Sequence, residues 1–538
     1  MDVVPHRSRS RSRLRNLLRS SSRRPLMNRR SLSSSSISKL TVSQTQLDPN
    51  TLVPLVAAVL DNSLPTDFLK QDVFGLIKTL RIPKWWKKNL TLDNLVLNRL
   101  SGALTNSIYK ILYNDSSVKV PSLLLRVYGK NVESLIDRDG ELRVLMKLLQ
   151  KNIGPRLLGI FTNGRFEQFL EGFEPLNKEL IRDHVISQML ARRMKDLHYK
   201  FDLDESDYPV DKKTDQVVPV CWKQIHKWMD VFENEFLPLY GEDNPAIIDT
   251  FMGMSFAEFR KLVGDVQNWL FKNYSGSKVK SDIKFCHNDT QYGNLLLQKD
   301  FNLKDVAPIA DEATVVTTEP KYDSNLAVID FEYLGPNFPA FDIVNFFLEW
   351  MLDYYNESKP YWIFEENYPT QVDQFNFIKL YIEYEFKYPT SSFKTATKPQ
   401  TSVASHEDSH EVAAELIQYE VQKLYNECVY WRSSVQIYWF LWGLIQGGPP
   451  KSVSNGHSSS TTGINTTYNF STTDELLAAF DECAIEEEDD DFDYLKYSQQ
   501  KLALIIGDGQ SFGLLSKDCV AEKYRPLIKH LDTTLLDI

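Results

Sequence analysis

The stretch FCHNDTQYGNLLL, residues 285–297, decides how this chain is read. An apolar strand leads into His287, Asn288 and Asp289, a short loop follows, and Asn294 precedes a second apolar strand. LAVIDFEY, residues 326–333, is a further apolar strand, and its Asp330 stands 36 residues after Asn294. Phosphoryl transfer from ATP asks little covalent chemistry of a protein. It needs an aligned acceptor hydroxyl, and Mg²⁺ to hold and neutralise the phosphates. A carboxylate on a rigid loop accepts or orients the hydroxyl proton, which is the role the pattern gives Asp289. Asn294, five residues later, and the second carboxylate, Asp330, are hard oxygen ligands for Mg²⁺. The letters HxDxxxxN alone carry little weight, because packed loop histidines and ordinary turn acids produce them too. Their order, the flanking strands and the region upstream together point to a kinase.

Upstream, about 100 residues read as mostly β with one internal helix. PSLLLRVYG (121–129) is a buried strand bounded by Pro and Gly, with Arg126 in its middle. A cation there grips nucleotide phosphates, and Arg suits the task because it is always charged and binds phosphate oxygens bidentately. The helix predicted over 139–152 begins near Glu141, which pairs with Arg126 or merely complements the helix dipole. SGALTN (101–106), with Gly102 and Asn106, is a candidate turn whose backbone N–H groups cover phosphates, although it lacks GxGxxG. Two strands flank the turn Asn163-Gly164, and the second runs into Glu167-Gln168-Phe169-Leu170, where Gln168 and Leu170 make a natural adenine hinge. Ahead of these, 67–80 is helical in period, with Phe68, Val73, Leu76, Ile77 and Leu80 as its apolar positions.

Beyond Gly172 the period turns helical: 178–198, 222–237, and on to the C-terminus after a strand-rich patch at 282–333. The predicted class is therefore α+β, a β-rich lobe followed by a mostly helical one. Its parts are a basic tail (1–46), an N-terminal nucleotide-binding lobe (47–170) and a C-terminal catalytic and substrate lobe (171–538). Low-complexity insertions fall near 304–325, 386–411 and 447–473, and the acidic run 481–493 reads as a solvated loop.

Composition narrows the function. Of 538 residues, 42% are hydrophobic, enough for one large or two medium domains. Residues 1–40 hold ten Arg and one Lys against one acid, a balance of +10, while the other 498 residues carry −21. A net charge of −11 argues against general nucleic-acid binding. The Arg/Ser-rich tail reads as disordered. Four roles compete for it: a presequence, a polybasic contact with anionic lipid, a substrate for basophilic kinases at Ser22 and Ser33, and a solvated appendage. Five scattered cysteines fit a reducing compartment. The longest apolar run, Leu52–Leu60, has nine residues, whereas a spanning helix needs about 20.

HNDTQYGNLL (287–296), VIDFEYLGPN (328–337) and FDIVNFFLEWMLDYY (341–355) closely resemble the choline/ethanolamine kinases, above all fungal members, which carry similar tails. The third motif is not shared with protein kinases. The resemblance implies a eukaryotic-protein-kinase-like fold and ATP-dependent phosphorylation of choline to phosphocholine, the first step of the CDP-choline route to phosphatidylcholine. It implies Asp289 as base, Asn294 and Asp330 as Mg²⁺ ligands with Glu332 as a further one, and Glu349 at the substrate site, with Asp342 and Asn345 in the second signature. Pro339 and Phe346 depart from the family's usual residues at their positions. A quaternary ammonium cannot donate hydrogen bonds, so aromatic faces and nearby acids hold it. Trp439 and Trp442, spaced i,i+3, share one helix face, and with Tyr354, Phe492 and Tyr497 they match the family's cage positions. Without the resemblance, such a stripe reads as core packing.

The family places the enzyme in the cytoplasm, and its members are often dimers. The arginine tail is then a regulatory or inert appendage, with contact to a membrane surface as its alternative. Rival functions are an ethanolamine kinase using the same machinery, an aminoglycoside phosphotransferase, which would want a wide acidic cleft and no tryptophan pair, and a catalytically inactive lipid-regulatory scaffold.

Overall fold

A computed structural model describes residues 43–48, 51–100, 106–128, 144–149, 153–201, 203–205, 207–211, 215–240, 251–273, 279–306, 320–387, 406–448 and 492–538. The chain forms two compact units, Met1–Phe173 and Glu174–Ile538.

The first unit is built on a seven-stranded sheet. Its strands are β1 (Ser43–Asp48), β2 (Thr51–Val56), β3 (Leu95–Leu100), β4 (Asn106–Tyr113), β5 (Leu123–Tyr128), β6 (Leu157–Phe161) and β7 (Gly164–Gln168). Their spatial order is β1-β2-β6-β7-β5-β4-β3. Every pair is antiparallel except β2 with β6, where Leu55 faces Ile160. Helix α1 (Thr66–Thr79) buries Leu69, Val73, Leu76 and Ile77 in a core shared with Trp85, Leu95, Leu125 and Phe166. Each such side chain contributes about 1.5–3 kcal/mol through burial. Phe68, expected on the apolar face, lies 58% exposed, and Asp72 takes a buried place one turn on from it, its carboxyl pushed up to about 6 by burial and by Asp61. The predicted hairpin at Asn163-Gly164 is present. Asn163 exchanges two hydrogen bonds with the Leu60 backbone, at 2.8 and 2.9 Å. A Cβ on Gly164 would stand 2.3 Å from the Arg126 carbonyl oxygen, so only glycine fits between β5 and β7. Strand β1 reaches back into the segment read as a disordered tail, at residues 43–46. Gly102, Glu141 and most of the helix predicted over 139–152 lie outside the described residues; 144–149 are helical.

In the second unit, short strands carry the loops and helices carry the mass. β8 (Phe173–Pro175), β10 (Leu295–Gln298) and β11 (Leu326–Val328) form one small sheet; β9 (Lys284–Cys286) and β12 (Gly335–Asn337) form another. Helix α2 (His184–Lys200) starts at Asp183, whose carboxylate caps the Val185 and Ile186 N–H groups. There follow α3 (Val220–Val231), α4 (Phe256–Asn273), α5 (Pro339–Glu349) and α6 (Gln371–Lys387), then the 42-residue α7 (His406–Gly447) and α8 (Tyr494–Ser511). At 1.5 Å per residue α7 is about 63 Å long. It packs on α3, α5, α6 and α8.

Helices α7 and α8 approach closely at Gly443, where a Cβ would lie 2.3 Å from Ser498 Oγ. Two expected insertions are partly ordered. Helix α7 begins at His406, inside 386–411, and residues 320–325 form a helical turn whose Asp323 is buried. Arg192 grips that carboxylate at 2.6 and 2.7 Å, fixing the chain that leads to Asp330. Past Ser511 the expected helices are replaced by short 3₁₀ turns and extended chain, anchored by hydrogen bonds such as Asn426 to Leu536 at 2.8 Å.

Candidate active site

The loop after β9 is set by one buried carboxylate. Asp342, in the first turn of α5, accepts the backbone N–H groups of His287 and Asn288 at 2.8 and 2.9 Å. It also accepts the Nε2–H of His198 at 3.0 Å, and the other ring nitrogen of His198 accepts the Tyr381 hydroxyl at 2.7 Å. His287 donates from Nε2 to the Ile329 carbonyl at 2.9 Å, while its Nδ1 accepts the Asp289 N–H at 3.3 Å. Burial lowers both histidines, which favours these neutral forms. Asn288 takes a left-handed backbone, φ +66°, which asparagine tolerates. Its amide donates to the carbonyl oxygens of Cys286 and Tyr333. The loop is thus pinned from β9, α2, α5 and the segment after β11, and Asp289 is aimed by its neighbours.

Asn294 donates its amide N–H to the Asp289 carbonyl at 3.0 Å and to its carboxylate Oδ2 at 2.9 Å. The amide nitrogen is taken up by Asp289, so its oxygen is the atom left for a cation. The Asn294 carbonyl accepts the Ile329 N–H at 2.9 Å, which ties this residue to the strand that delivers Asp330. Asp330 itself has φ +62°, a strained conformation for a non-glycine residue. The Asp289 carboxyl is held well above the usual carboxylate range, first by burial and then by Glu349, Asp330 and Glu332; the Asn294 hydrogen bond works against this. Asn294, Asp330 and Glu332 offer hard oxygen atoms around this carboxyl, the donor set that a divalent cation takes.

Beyond Asp289, rings converge. Tyr354 donates its hydroxyl to both Glu349 oxygens, at 2.9 and 3.2 Å. The rings of Trp439 and Trp442 lie 5.6 Å apart, Trp442 and Tyr497 6.1 Å, Tyr497 and Phe492 5.5 Å, and Phe492 and Tyr354 6.0 Å. All five aromatics named from sequence therefore form one connected chain of rings that ends beside Glu349. Both indole N–H groups are satisfied, Trp439 by Asn345 and Trp442 by the Tyr333 hydroxyl, each at 2.8 Å. Phe492, distant in sequence across the third insertion, is brought onto Tyr354 and Tyr497 because Asp493 caps α8 through the Lys496 N–H at 2.8 Å.

In the first unit, Arg126 is buried on β5, its Nε 4.0 Å from a Glu167 oxygen on β7. The partner weighed for it in sequence, Glu141, lies outside the described residues, as does Gly102. Arg165 also bonds Glu167 and donates to the Tyr128 hydroxyl at 3.2 Å. Asn106 opens β4 and is buried; Gln168 is exposed and bonded through its N–H to the Arg156 carbonyl at 2.8 Å; Leu170 is half-buried.

Sequence reasoning missed His198, Tyr333, Tyr292 and Lys501. Tyr292, inside the first motif, gives no signal of its own in sequence, yet its hydroxyl accepts the Tyr354 N–H at 2.7 Å and fixes that ring's backbone. Lys501 is a buried lysine beside Tyr497; only its i,i+4 spacing from Tyr497 offered a clue.

A family model described as "Choline/ethanolamine kinase" matches residues 97–506, and one described as "Choline kinase N terminus" matches 47–94. The chain is 34% identical to a choline kinase of Saccharomyces cerevisiae over 90% of its own length and 82% of the relative's. It is 31% identical to an ethanolamine kinase of the same yeast, covering 86% and 80%. A choline kinase of Schizosaccharomyces pombe is 31% identical, with 72% and 78% covered.

Proposed function

The chain belongs to the choline/ethanolamine kinase family and is a kinase; from that premise we propose that it transfers the γ-phosphoryl group of ATP to choline, with Asp289 as base and the Glu349 pocket as the cation site. The observation that carries this reading is the convergence of Glu349, Asp289 and the ring chain Tyr354–Phe492–Tyr497–Trp442–Trp439.

Asp289 Oδ2 is engaged by Asn294, so Oδ1 is the oxygen that takes the hydroxyl proton. As the choline oxygen bonds to the γ-phosphorus, the bond to the bridging oxygen breaks and ADP leaves. Burial and the neighbouring acids make Asp289 a stronger base than a surface aspartate. The trimethylammonium head is held by ring faces and by the Glu349 charge. Mg²⁺, held by Asn294, Asp330 and Glu332, would neutralise phosphate charge. In the first unit, Arg126, Asn106, Gly102 and Glu141 are the proposed contacts to the triphosphate, with Gln168 and Leu170 at the adenine. The proposal includes action in the cytoplasm. Among the described residues no helix is long and apolar enough to cross a membrane.

Ethanolamine is the second reading, favoured by the similarity to an ethanolamine kinase and by two acids that would accept its N–H donors. Measuring kcat/KM for both amines with radiolabelled ATP decides between them. A higher value for choline is expected; a tenfold preference for ethanolamine would overturn the choice, and no transfer to either would overturn the function.

A further inference from the structure

The turn that follows α1 carries a charge unlike that of the chain around it. From Val73 to Leu92 there is no acid, and Lys78, Arg81, Lys84, Lys87 and Lys88 make the stretch +5, although residues 41–538 together carry −21. Two adjacent tryptophans there have opposite fates. Trp85 is fully buried and donates its indole N–H to the Pro121 carbonyl at 2.9 Å; with buried Ile82 it fixes the turn to the core of the first unit. Trp86 is 36% exposed. Arg81 and Lys87 lie over its ring, 5.4 and 5.1 Å from the centroid. The backbone is held as firmly. Arg81 and Lys84 have φ +52° and +67°, a left-handed conformation that is costly for a residue with a Cβ. Lys78, in the last turn of α1, ties down the far end by donating to the carbonyls of Trp86 and Lys88 at 3.4 and 2.8 Å. Lys78 is thus occupied. Arg81, Lys84, Lys87 and Lys88 are exposed, and among the described residues none of the four meets a carboxylate.

We propose that this turn is a docking surface for an anionic lipid bilayer, with the Trp86 ring seated among the headgroups and Arg81, Lys84, Lys87 and Lys88 against lipid phosphates and carboxylates. An indole joins an apolar ring to a polar N–H, so it prefers the level of the headgroups to water or hydrocarbon. The four cations have long apolar stems that lie along such a ring while their charged ends stay wet. Acidic phospholipid draws in each cation near its surface, a gain of about fivefold in binding per residue. Other polyanions fit less well. A nucleic acid wants a basic track several phosphates long with stacked rings along it, and one turn with a single exposed indole offers neither. An acidic peptide pairs with the cations yet leaves the indole in water. The surface is separate from the arginine tail, residues 1–40, and the proposal does not rest on the kinase reading, because it concerns where the chain sits rather than what it transfers.

The test is co-sedimentation of the full-length chain with sucrose-loaded vesicles, either phosphatidylcholine alone or with about one third phosphatidylserine. The native chain should bind the anionic vesicles and not the neutral ones. K84E/K87E/K88E should weaken that binding by about 10²-fold. The same reversal at three exposed lysines elsewhere, K223E/K272E/K517E, changes the net charge equally and should weaken binding far less. The tail is present in every variant, so its charge cancels from the comparison. Salt separates the two parts of the contact. As the Debye length falls from ~10 Å at about 0.1 M to ~3 Å at about 1 M, the native chain and the triple variant should converge, while the deficit of W86S persists. Melting temperatures should match the native chain throughout; if the triple reversal melts early, K87E/K88E replaces it, with an expected loss of about 25-fold. Equal losses in the turn and control triples, or equal binding to both kinds of vesicle, would overturn the proposal. So would failure of the native chain to bind anionic vesicles, or turn-dependent binding of single-stranded DNA or polyglutamate in their place.

Discussion

Near its C-terminal end, helix α8 buries Asp508, and seven residues earlier it buries Lys501; the two charges are treated in opposite ways. Asp508 is saturated: Arg432 on α7 donates to both its oxygens at 2.6 and 3.0 Å and gives a further N–H to the Asp532 carbonyl at 2.8 Å. Lys501 rests over a ring instead, its ammonium 5.0 Å from the Tyr497 centroid. A fully paired buried ion pair is a clasp, costly to break and indifferent to ligand. A buried cation set over a ring face is held by a weaker and less directional contact. One helix thus carries a structural half and a working half, divided by how completely each charge is satisfied.

The largest effect should come from the working side. Asp289→Ala should cut kcat/KM for choline by about 10²–10⁴-fold while ATP binding persists; radiolabel transfer and nucleotide titration check both, and undiminished turnover would end Asp289's role as base. On the structural side, Arg432→Met strands Asp508 and should cost about 3–5 kcal/mol in denaturant unfolding. Near-native kcat/KM in the folded fraction is expected; a selective loss of turnover would erase the division between the halves. Gly443→Ala forces α7 and α8 apart at Ser498, and overpacking of this kind costs about 1–3 kcal/mol, measurable by melting, with choline KM rising as the cage loosens. Trp442→Leu removes one ring and should weaken choline by about 0.5–2 kcal/mol, with ethanolamine less affected; equal losses for both would argue that the ring only packs.

The smallest effect concerns pH. The folded chain keeps the Asp289 carboxyl protonated to higher pH than the unfolded chain does. It therefore holds a proton the unfolded chain has lost, and this group opposes folding increasingly as pH rises through that window. With divalent cations chelated, Asp289→Asn should melt above the native chain at about pH 8, with the gap closing toward about pH 4. Adding Mg²⁺ should narrow the gap at high pH. A gap independent of pH would mean that the carboxyl is not held up.

Legibility followed locality. Asp289 and Asn294 could be paired from sequence because the hydrogen bond between them closes over five residues, and Trp439 with Trp442 because a helix face is a local object. His198 could not, since nothing in α2 announces that its ring reaches an acid 144 residues away. Lys501 escaped because a lysine on an amphipathic helix is ordinarily solvated. Phe68 is exposed although the helical period put it on the apolar face, because the period marks a face to within a residue or so, and packing chooses the member. The α+β class was evident from the switch of period at Gly172. The C-terminal segment was misread as helical because the apolar residues there dock singly along other elements rather than in a stripe.

Gly443 bears on more than stability. It sits next to Trp442, and through Ser498 it meets the turn that carries Tyr497, so the missing methyl acts as a shim between two walls of the cage. The bore of the proposed cation site is then gauged by a backbone contact, and a chain of this kind can be re-bored for a larger or smaller ammonium head while every ring and acid proposed to touch the substrate stays the same.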